Sequence, residues 1–193
     1  IRDPIPSRGL EMCIRDSNTM IDFKLFDFPS IFGVVKSTDG LKRQQTRPLR
    51  AEVQEIAIAK YSGGQLQYVG DCENGRDFLG IHDGIYYESK GMDGLFLKTK
   101  PYTREITLMN FKGRNKGLPD KTFDYMLLWD TKNYTAGICS WDACMKNTKL
   151  KDDSVSFKVD FDDITFVAKN VVPIDKGDFC LLYTSDAADD VEC

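Results

Sequence analysis

Two acidic residues and a lysine flank a short apolar segment at residues 75–91, whose sequence is GRDFLGIHDGIYYESKG. Asp77 stands before the first apolar run, and Glu88 and Lys90 stand after the second. Hydrolysis of a phosphodiester with a divalent cation needs carboxylates that converge on the ion and a positive group near the attacking water. These residue types would supply that chemistry if the chain folded them onto one another.

Turn-forming residues lie midway along this segment and predict a β-hairpin. If the turn is centred on His82-Asp83, Asp77 faces Glu88. If it is centred one residue later, as an Asp-Gly pair favours, Asp77 faces Lys90. Strand alternation puts Glu88 and Lys90 on one face, so either register brings the three side chains within contact range. The alternative interpretation is a salt bridge from the lysine to one of the acids.

A second set of acids and a lysine follows the order Pro-Asp…Asp-x-Lys, and we call it the literal motif. Its acids are too far apart along the chain to form one site. Asp120 follows a proline, and Asp130 and Lys132 come later. The run 123–129 between them contains no turn residue, so an extended chain would separate the two acids by roughly 30 Å. Asp130 and Lys132 are therefore interpreted as a strand end and its turn.

A helix is predicted just before the hairpin. Thr46 is a suitable cap, Pro48 suits the first turn, and residues 62–64, Ser-Gly-Gly, end the helix. Its apolar residues recur at helical spacing and form one face: Leu49, Val53, Ile56 and Ala57.

The remaining pattern predicts a sheet. Residues 20–36 are compatible with a strand or a short helix, and residues 103–111 with a helix or a strand. Strands are predicted at 65–70, in the hairpin, at 123–129 and 135–141, and once or twice within 154–172. The sum is one α/β domain, a mixed β-sheet with flanking helices.

Helix, hairpin and buried strand together resemble the PD-(D/E)XK nuclease superfamily, which includes restriction endonucleases and archaeal Holliday-junction resolvases. The resemblance covers roughly residues 46–141. The first acid of the family falls on Asp77, although its usual preceding proline is replaced by Arg76. The Glu-x-Lys of the family falls on Glu88-Ser89-Lys90.

Many members also carry a glutamate on the helix before the hairpin. Glu52 resembles that placement, and Glu55, one turn later, is the alternative. The resemblance implies a restriction-endonuclease-like core in which Glu52 supports the site or a second metal ion.

The resemblance implies a Mg²⁺-dependent DNA endonuclease, most similar to type II restriction endonucleases. Asp77, Glu88 and the Ser89 carbonyl would hold Mg²⁺, and Lys90 would orient or help deprotonate the attacking water. Alternatives are a junction resolvase or repair nuclease of the same fold, a DNA-binding module that has lost catalysis, and an unrelated α/β binding domain. Duplex cleavage makes a homodimer plausible.

A basic stretch follows the hairpin and is a candidate contact with the phosphate backbone of DNA. The alternative is an ordinary solvated loop. Within residues 98–121 only Glu105 and Asp120 oppose Lys121 and the six residues assigned to DNA binding, which are Lys98, Lys100, Arg104, Lys112, Arg114 and Lys116.

The two ends of the chain look unlike natural protein. Residues 12–17 read MCIRDS and residues 180–184 read CLLYT, and one DNA element translated from opposite strands encodes both. The element resembles a sequencing adapter, as found in metagenomic reads. Residues 1–17 and 180–193 are therefore interpreted as adapter-like artefacts, and residues 18–179 as a single nuclease-like domain.

The composition of the domain limits the classes of protein to which it can belong. The ends hold three of the 26 basic and seven of the 30 acidic residues, which leaves 23 of each in the domain. No apolar run approaches the roughly 18–20 residues of a membrane span. The domain retains Cys72, Cys139 and Cys144, an odd number without zinc spacing. These features predict reduced core thiols and a cytoplasmic protein, and the resemblance implies a bacterial or phage origin.

Overall fold

The structure is a computed structural model that describes residues 21–38, 47–70, 76–96, 103–108, 121–146, 149–151 and 154–175. The adapter-like segments 1–17 and 180–193 lie outside the described residues, as do Thr46, Cys72 and Asp120.

Three α-helices occur in the described part of the chain. Helix α1, Phe28–Ser37, follows a 3-10 turn at Phe23–Leu25, so the ambiguous N-terminal region is helical. Asp27 caps α1 by accepting the Ser30 N–H at 3.1 Å. Helix α2 spans Arg47–Lys60, which confirms the predicted helix, and α3 spans Trp141–Lys146.

The buried face of α2 is close to the predicted one. Val53 and Ala57 are buried, as expected, whereas Ile58 is buried and Ile56 only half-buried. The chain leaves the helix through Gly63 and Gly64, both in the left-handed region with φ of 66° and 77°.

The strands form two sheets. Strand β4 shows that the ambiguous region 103–111 contains a strand. Among the residues that the structure describes there are nine strands, in chain order β1 Leu66–Tyr68, β2 Phe78–Gly80, β3 Tyr86–Met92, β4 Thr103–Leu108, β5 Tyr125–Asp130, β6 Thr135–Ser140, β7 Lys149–Lys151, β8 Ser154–Asp160 and β9 Thr165–Ala168.

The larger sheet is mixed, with the strand order β1-β2-β3-β5-β6-β9. Strands β3 and β5 run parallel, and every other neighbouring pair in this sheet is antiparallel. The smaller sheet has the order β4-β8-β7. A mixed sheet with helices confirms the α/β class.

The central strand β5 is buried on both faces and divides the core in two. Leu127 and Trp129 point to the side of α1, where Phe28, Ile31 and Phe32 cover the sheet. Met126 and Leu128 point to the opposite side. That second core is completed by Leu95, Phe123, Cys139, Trp141, Cys144 and Val159.

Within the described residues, none of the helices has the length and apolar composition needed to span a bilayer.

Candidate active site

The hairpin of β2 and β3 adopts the first of the two predicted registers. Phe78 pairs with Tyr87 and Leu79 with Tyr86. Continued by one residue, this register sets Asp77 opposite Glu88.

The loop of the hairpin is closed by Asp83. Its carboxylate accepts the Ile85 N–H at 2.9 Å and the hydroxyl of the fully buried Tyr87 at 2.7 Å. A Cβ at Gly80 would lie 1.9 Å from Asp83 Oδ1, so the carboxylate occupies the space that a side chain there would need. Gly84, with φ of 65°, completes the turn. These contacts select a turn centred on His82-Asp83.

Asp77 reaches across the hairpin to the strand that carries the Glu-x-Lys. Its Oδ2 accepts the N–H of Ser89, which lies between Glu88 and Lys90, at 2.6 Å. The Asp77 backbone N–H donates to the Tyr87 carbonyl at 3.0 Å. The carboxylate is thereby held beside the two residues that the sequence predicts as its neighbours.

Glu88 and Lys90 form an ion pair on one face of β3. Lys90 Nζ lies 2.5 Å from Glu88 Oε1, and the side chains are 33% and 4% exposed, respectively. Burial alone would lower the pKa of Lys90, but the charges of Glu88, Asp77 and Glu55 outweigh burial and raise it. Lys90 is therefore a cation whose charge is stabilised by three carboxylates.

Glu55 is the acid on α2 whose charge affects the hairpin residues. Glu52 is exposed, whereas Glu55 is half-buried and contributes to the raised pKa of Lys90. The neighbouring Gln54 lies near the end of β3, because a Cβ at Gly91 would lie 3.4 Å from Gln54 Oε1. Of the two alternatives in the sequence, Glu55 is the one whose charge acts on Lys90.

We expect Glu55→Gln to reduce the activity of the site about tenfold and Glu52→Gln to leave it unchanged. Loss of a carboxylate that supports metal-binding residues typically costs about 10–100-fold in metal affinity or activity. The two positions lie less than one helical turn apart and both substitutions remove the same charge, so each is the control for the other. Equal effects of both substitutions on the rate of DNA cleavage would contradict this assignment.

Arg76 and Tyr86 were not predicted as a pair. The guanidinium carbon of Arg76 lies 4.4 Å from the ring centroid of Tyr86, which places a cation over the ring. Tyr87 packs in the core and Tyr86 flanks Glu88, which agrees with their alternation in the sequence. In the sequence, Arg76 stands out only because the resembling family usually has proline at this position.

Two thiols lie beneath the same face of β3. Cys139 and Cys144 are buried with their Sγ atoms 3.5 Å apart, and both are free thiols, as predicted. The hydrogen bond with Cys139, burial and the charges of Cys139 and Glu88 raise the pKa of the Cys144 thiol. The Cys144 thiol remains protonated, and both thiols pack the core near Glu88.

Asp130, from the literal motif, organises loops. Its Oδ1 accepts the backbone N–H groups of Gly94, Lys132 and Asn133 at 2.9, 3.1 and 3.0 Å. Its Oδ2 accepts the Phe96 N–H at 3.0 Å and Asn133 Nδ2 at 2.9 Å. Asp130 is fully buried, and these donors replace the water molecules that its carboxylate loses on burial. Its position at the end of β5 agrees with the interpretation as a strand end and its turn.

Of the six residues assigned to DNA binding, five lie outside the described residues. These are Lys98, Lys100, Lys112, Arg114 and Lys116. Arg104 lies on β4, opposite Val159 of β8. Lys121, at the end of the basic stretch, pairs with Asp124 at 2.6 Å.

The donor set suits a hard divalent cation. Mg²⁺ is commonly bound through one or two carboxylates, with waters and substrate phosphates as its other ligands. Asp77 and Glu88 supply two carboxylates of about four acceptor positions each, so their contacts with Ser89 and Lys90 are compatible with coordination. In the part of the chain that the structure describes, no group of three or more His, Cys, Asp or Glu side chains is arranged to hold a metal.

Comparison of the chain with models of known protein families, with curated protein sequences and with solved structures finds no match to any of them.

Proposed function

We propose that the protein is a Mg²⁺-dependent DNA endonuclease that hydrolyses phosphodiester bonds, with a restriction-endonuclease-like core. The observation that carries the proposal is the convergence of Asp77, Glu88 and Lys90 across one hairpin. Asp77 contacts the Ser89 N–H at 2.6 Å, and Lys90 contacts Glu88 at 2.5 Å. This is the acid and acid-x-lysine arrangement that the PD-(D/E)XK resemblance implies.

The burial of the ion pair favours a functional role over a purely structural salt bridge. Glu88 is 4% exposed, and taking two charges out of water costs about as much free energy as their attraction returns. Buried ion pairs therefore contribute little stability. A lysine whose pKa is raised by nearby carboxylates, one of them buried, is instead a candidate for a functional site.

In this proposal Asp77, Glu88 and the Ser89 carbonyl would hold Mg²⁺. The N–H and C=O of one strand residue project to the same side, so the Ser89 carbonyl projects toward Asp77, which already accepts the Ser89 N–H. When bound, the ion would lower the pKa of a coordinated water and neutralise phosphate charge.

The residues of the chain would orient the reactants. Lys90 would hold the attacking water and stabilise the negative charge that develops on the phosphate. Glu55 would support the geometry from α2. The water oxygen bonds to phosphorus, the bond to the leaving sugar oxygen breaks, and the water proton ends on that oxygen.

The test is incubation of the purified protein with supercoiled plasmid in Mg²⁺ and, in parallel, in EDTA. Mg²⁺-dependent nicking or linearisation is expected. Discrete fragments would indicate a restriction-like specificity, whereas preferential cutting of four-way junctions would indicate a resolvase. DNA binding with no cleavage of either substrate would contradict the nuclease proposal and indicate a non-catalytic DNA-binding module.

A further inference from the structure

We propose that Arg76, held on the ring of Tyr86, binds a phosphate group of the nucleic acid beside the candidate active site. The inference rests on the proposed function and adds to it a residue for positioning the substrate. The resembling family usually has proline at position 76, so the proposed phosphate contact is specific to this chain.

The arginine is held in place by its contact with Tyr86. Its guanidinium carbon lies 4.4 Å from the ring centroid, the Arg76 side chain is half-buried, and Tyr86 packs against the second core. A cation stacked on an anchored ring loses less conformational freedom when it binds a ligand than a mobile surface side chain does. Arg76 is therefore better prepared to bind an anion than an arginine on an open surface.

The stacked arginine lies in line with the hydrolytic residues. Tyr86, Glu88 and Lys90 alternate along β3 and so share one face of the strand. Arg76 is also the direct chain neighbour of Asp77, whose carboxylate contacts the same strand. The guanidinium consequently extends the row formed by Glu88 and Lys90.

The charge of the site explains why another cation is useful there. The carboxylates of Asp77, Glu88 and Glu55 carry a formal charge of about −3 against the single positive charge of Lys90. One Mg²⁺ would bring this group to neutrality and leave no net attraction for a phosphodiester. Arg76 makes the assembled site positive.

Arginine is also the suitable residue type for both contacts. Its face stacks on an aromatic ring, while its five N–H donors lie in the guanidinium plane and match the oxygens of a phosphate. Stacking on Tyr86 and bidentate donation to a phosphate are therefore compatible. A neutral aliphatic residue at this position could do neither.

The test measures the affinity of the protein for a labelled DNA duplex by fluorescence anisotropy, with Ca²⁺ in place of Mg²⁺ as the ion on the carboxylates and over a series of KCl concentrations. Arg76→Met is expected to weaken binding about tenfold at low salt, as for the loss of a charged hydrogen-bonding group. The slope of log affinity against log salt should become shallower by about 0.9, the value for one phosphate contact. Arg76→Lys should restore the slope but not the full affinity.

The ring supplies matched controls that keep the inference testable if Arg76→Met does not fold. Tyr86→Phe preserves the stacking and should bind DNA like the wild type, whereas Tyr86→Leu should weaken binding in the same direction as Arg76→Met. A purely structural role would lower the melting temperature without changing the salt slope. An unchanged slope in Arg76→Met, or equal affinities of Tyr86→Phe and Tyr86→Leu, would overturn the inference.

The outcome separates this inference from the proposed function. If the wild type cuts DNA and the Arg76 variants bind it normally, only the phosphate site is wrong. If the wild type binds DNA with an Arg76-dependent slope but does not cut it, the nuclease proposal is wrong and the phosphate site stands. Absence of DNA binding by the wild type overturns both.

Discussion

Lys90→Ala is expected to reduce Mg²⁺-dependent DNA cleavage by about 10³-fold or more while DNA binding is retained. Removing one preorganised group that stabilises transition-state charge costs about 10²–10³-fold in rate, and loss of water orientation adds to this. The effect should appear in the single-turnover rate of cleavage at saturating enzyme. Binding of the same duplex, measured by anisotropy, should remain close to that of the wild type.

The removal of Lys90 also leaves Glu88 buried without its ammonium partner. That loss destabilises a fold by about 3–5 kcal/mol when a buried pair is broken. Lys90→Arg preserves a positive charge near Glu88 and is the variant that separates catalysis from folding. It should retain the melting temperature of the wild type and still cleave poorly, because a planar guanidinium does not reproduce the point charge of an ammonium group.

Lys132→Ala is the matched control for Lys90→Ala. Lys132 belongs to the literal acid-lysine motif, and its backbone N–H donates to the loop-organising Asp130 at 3.1 Å. A backbone donor survives substitution of the side chain, so wild-type cleavage is expected. If Lys132→Ala abolished cleavage and Lys90→Ala did not, the assignment of the hairpin as the active site would be wrong.

Asp130→Asn is expected to lower the free energy of unfolding by about 3 kcal/mol. The carboxylate accepts five hydrogen bonds, among them those from Gly94 and Phe96 in the segment that follows β3. An asparagine amide would point its NH₂ group at donors that need an acceptor. Urea denaturation followed by tryptophan fluorescence measures the difference. Asp142→Asn, at an exposed acid in the first turn of α3, is the control and should be close to neutral.

The contribution of Asp130 depends on pH in a defined direction. Burial would raise the pKa of this carboxyl, but the hydrogen bonds from Asn133, Phe96 and Lys132 outweigh burial and lower it below the usual 3.8. A depressed pKa stabilises the fold above the unfolded value, and this stabilisation is lost as pH falls through the folded one. The difference in the free energy of unfolding between the wild type and Asp130→Asn should therefore be largest above about pH 4 and decrease in stronger acid. A difference that widened below pH 4 would contradict this origin.

The sequence predicts those parts of the fold that local patterns control. Helix α2 follows from apolar residues at helical spacing, with Val53 and Ala57 buried as expected. The hairpin follows from turn residues midway between two apolar runs, and the opposition of Asp77 to the Glu-x-Lys follows from that turn. Strand β5 follows from a bulky apolar run, which is typical of a strand buried on both faces.

Features that depend on tertiary contacts were not predictable. The choice of register depends on the Asp83 carboxylate, which binds the hydroxyl of Tyr87 and occupies the space over Gly80. Glu52 and Glu55 lie less than one helical turn apart, and they are distinguished by the half-burial of Glu55 and by the effect of its charge on Lys90. The contact of Arg76 with Tyr86 joins the segment before β2 to β3 and has no local pattern in the sequence.

The most direct test of the proposed metal site compares the wild type with Asp77→Asn in the plasmid assay with Mg²⁺. The substitution preserves the size of the side chain and removes the negative charge proposed to bind the metal. We expect Mg²⁺-dependent nicking by the wild type and none by Asp77→Asn, when equal fractions of the DNA are bound. Nicking by Asp77→Asn at the wild-type rate would contradict the proposed metal site.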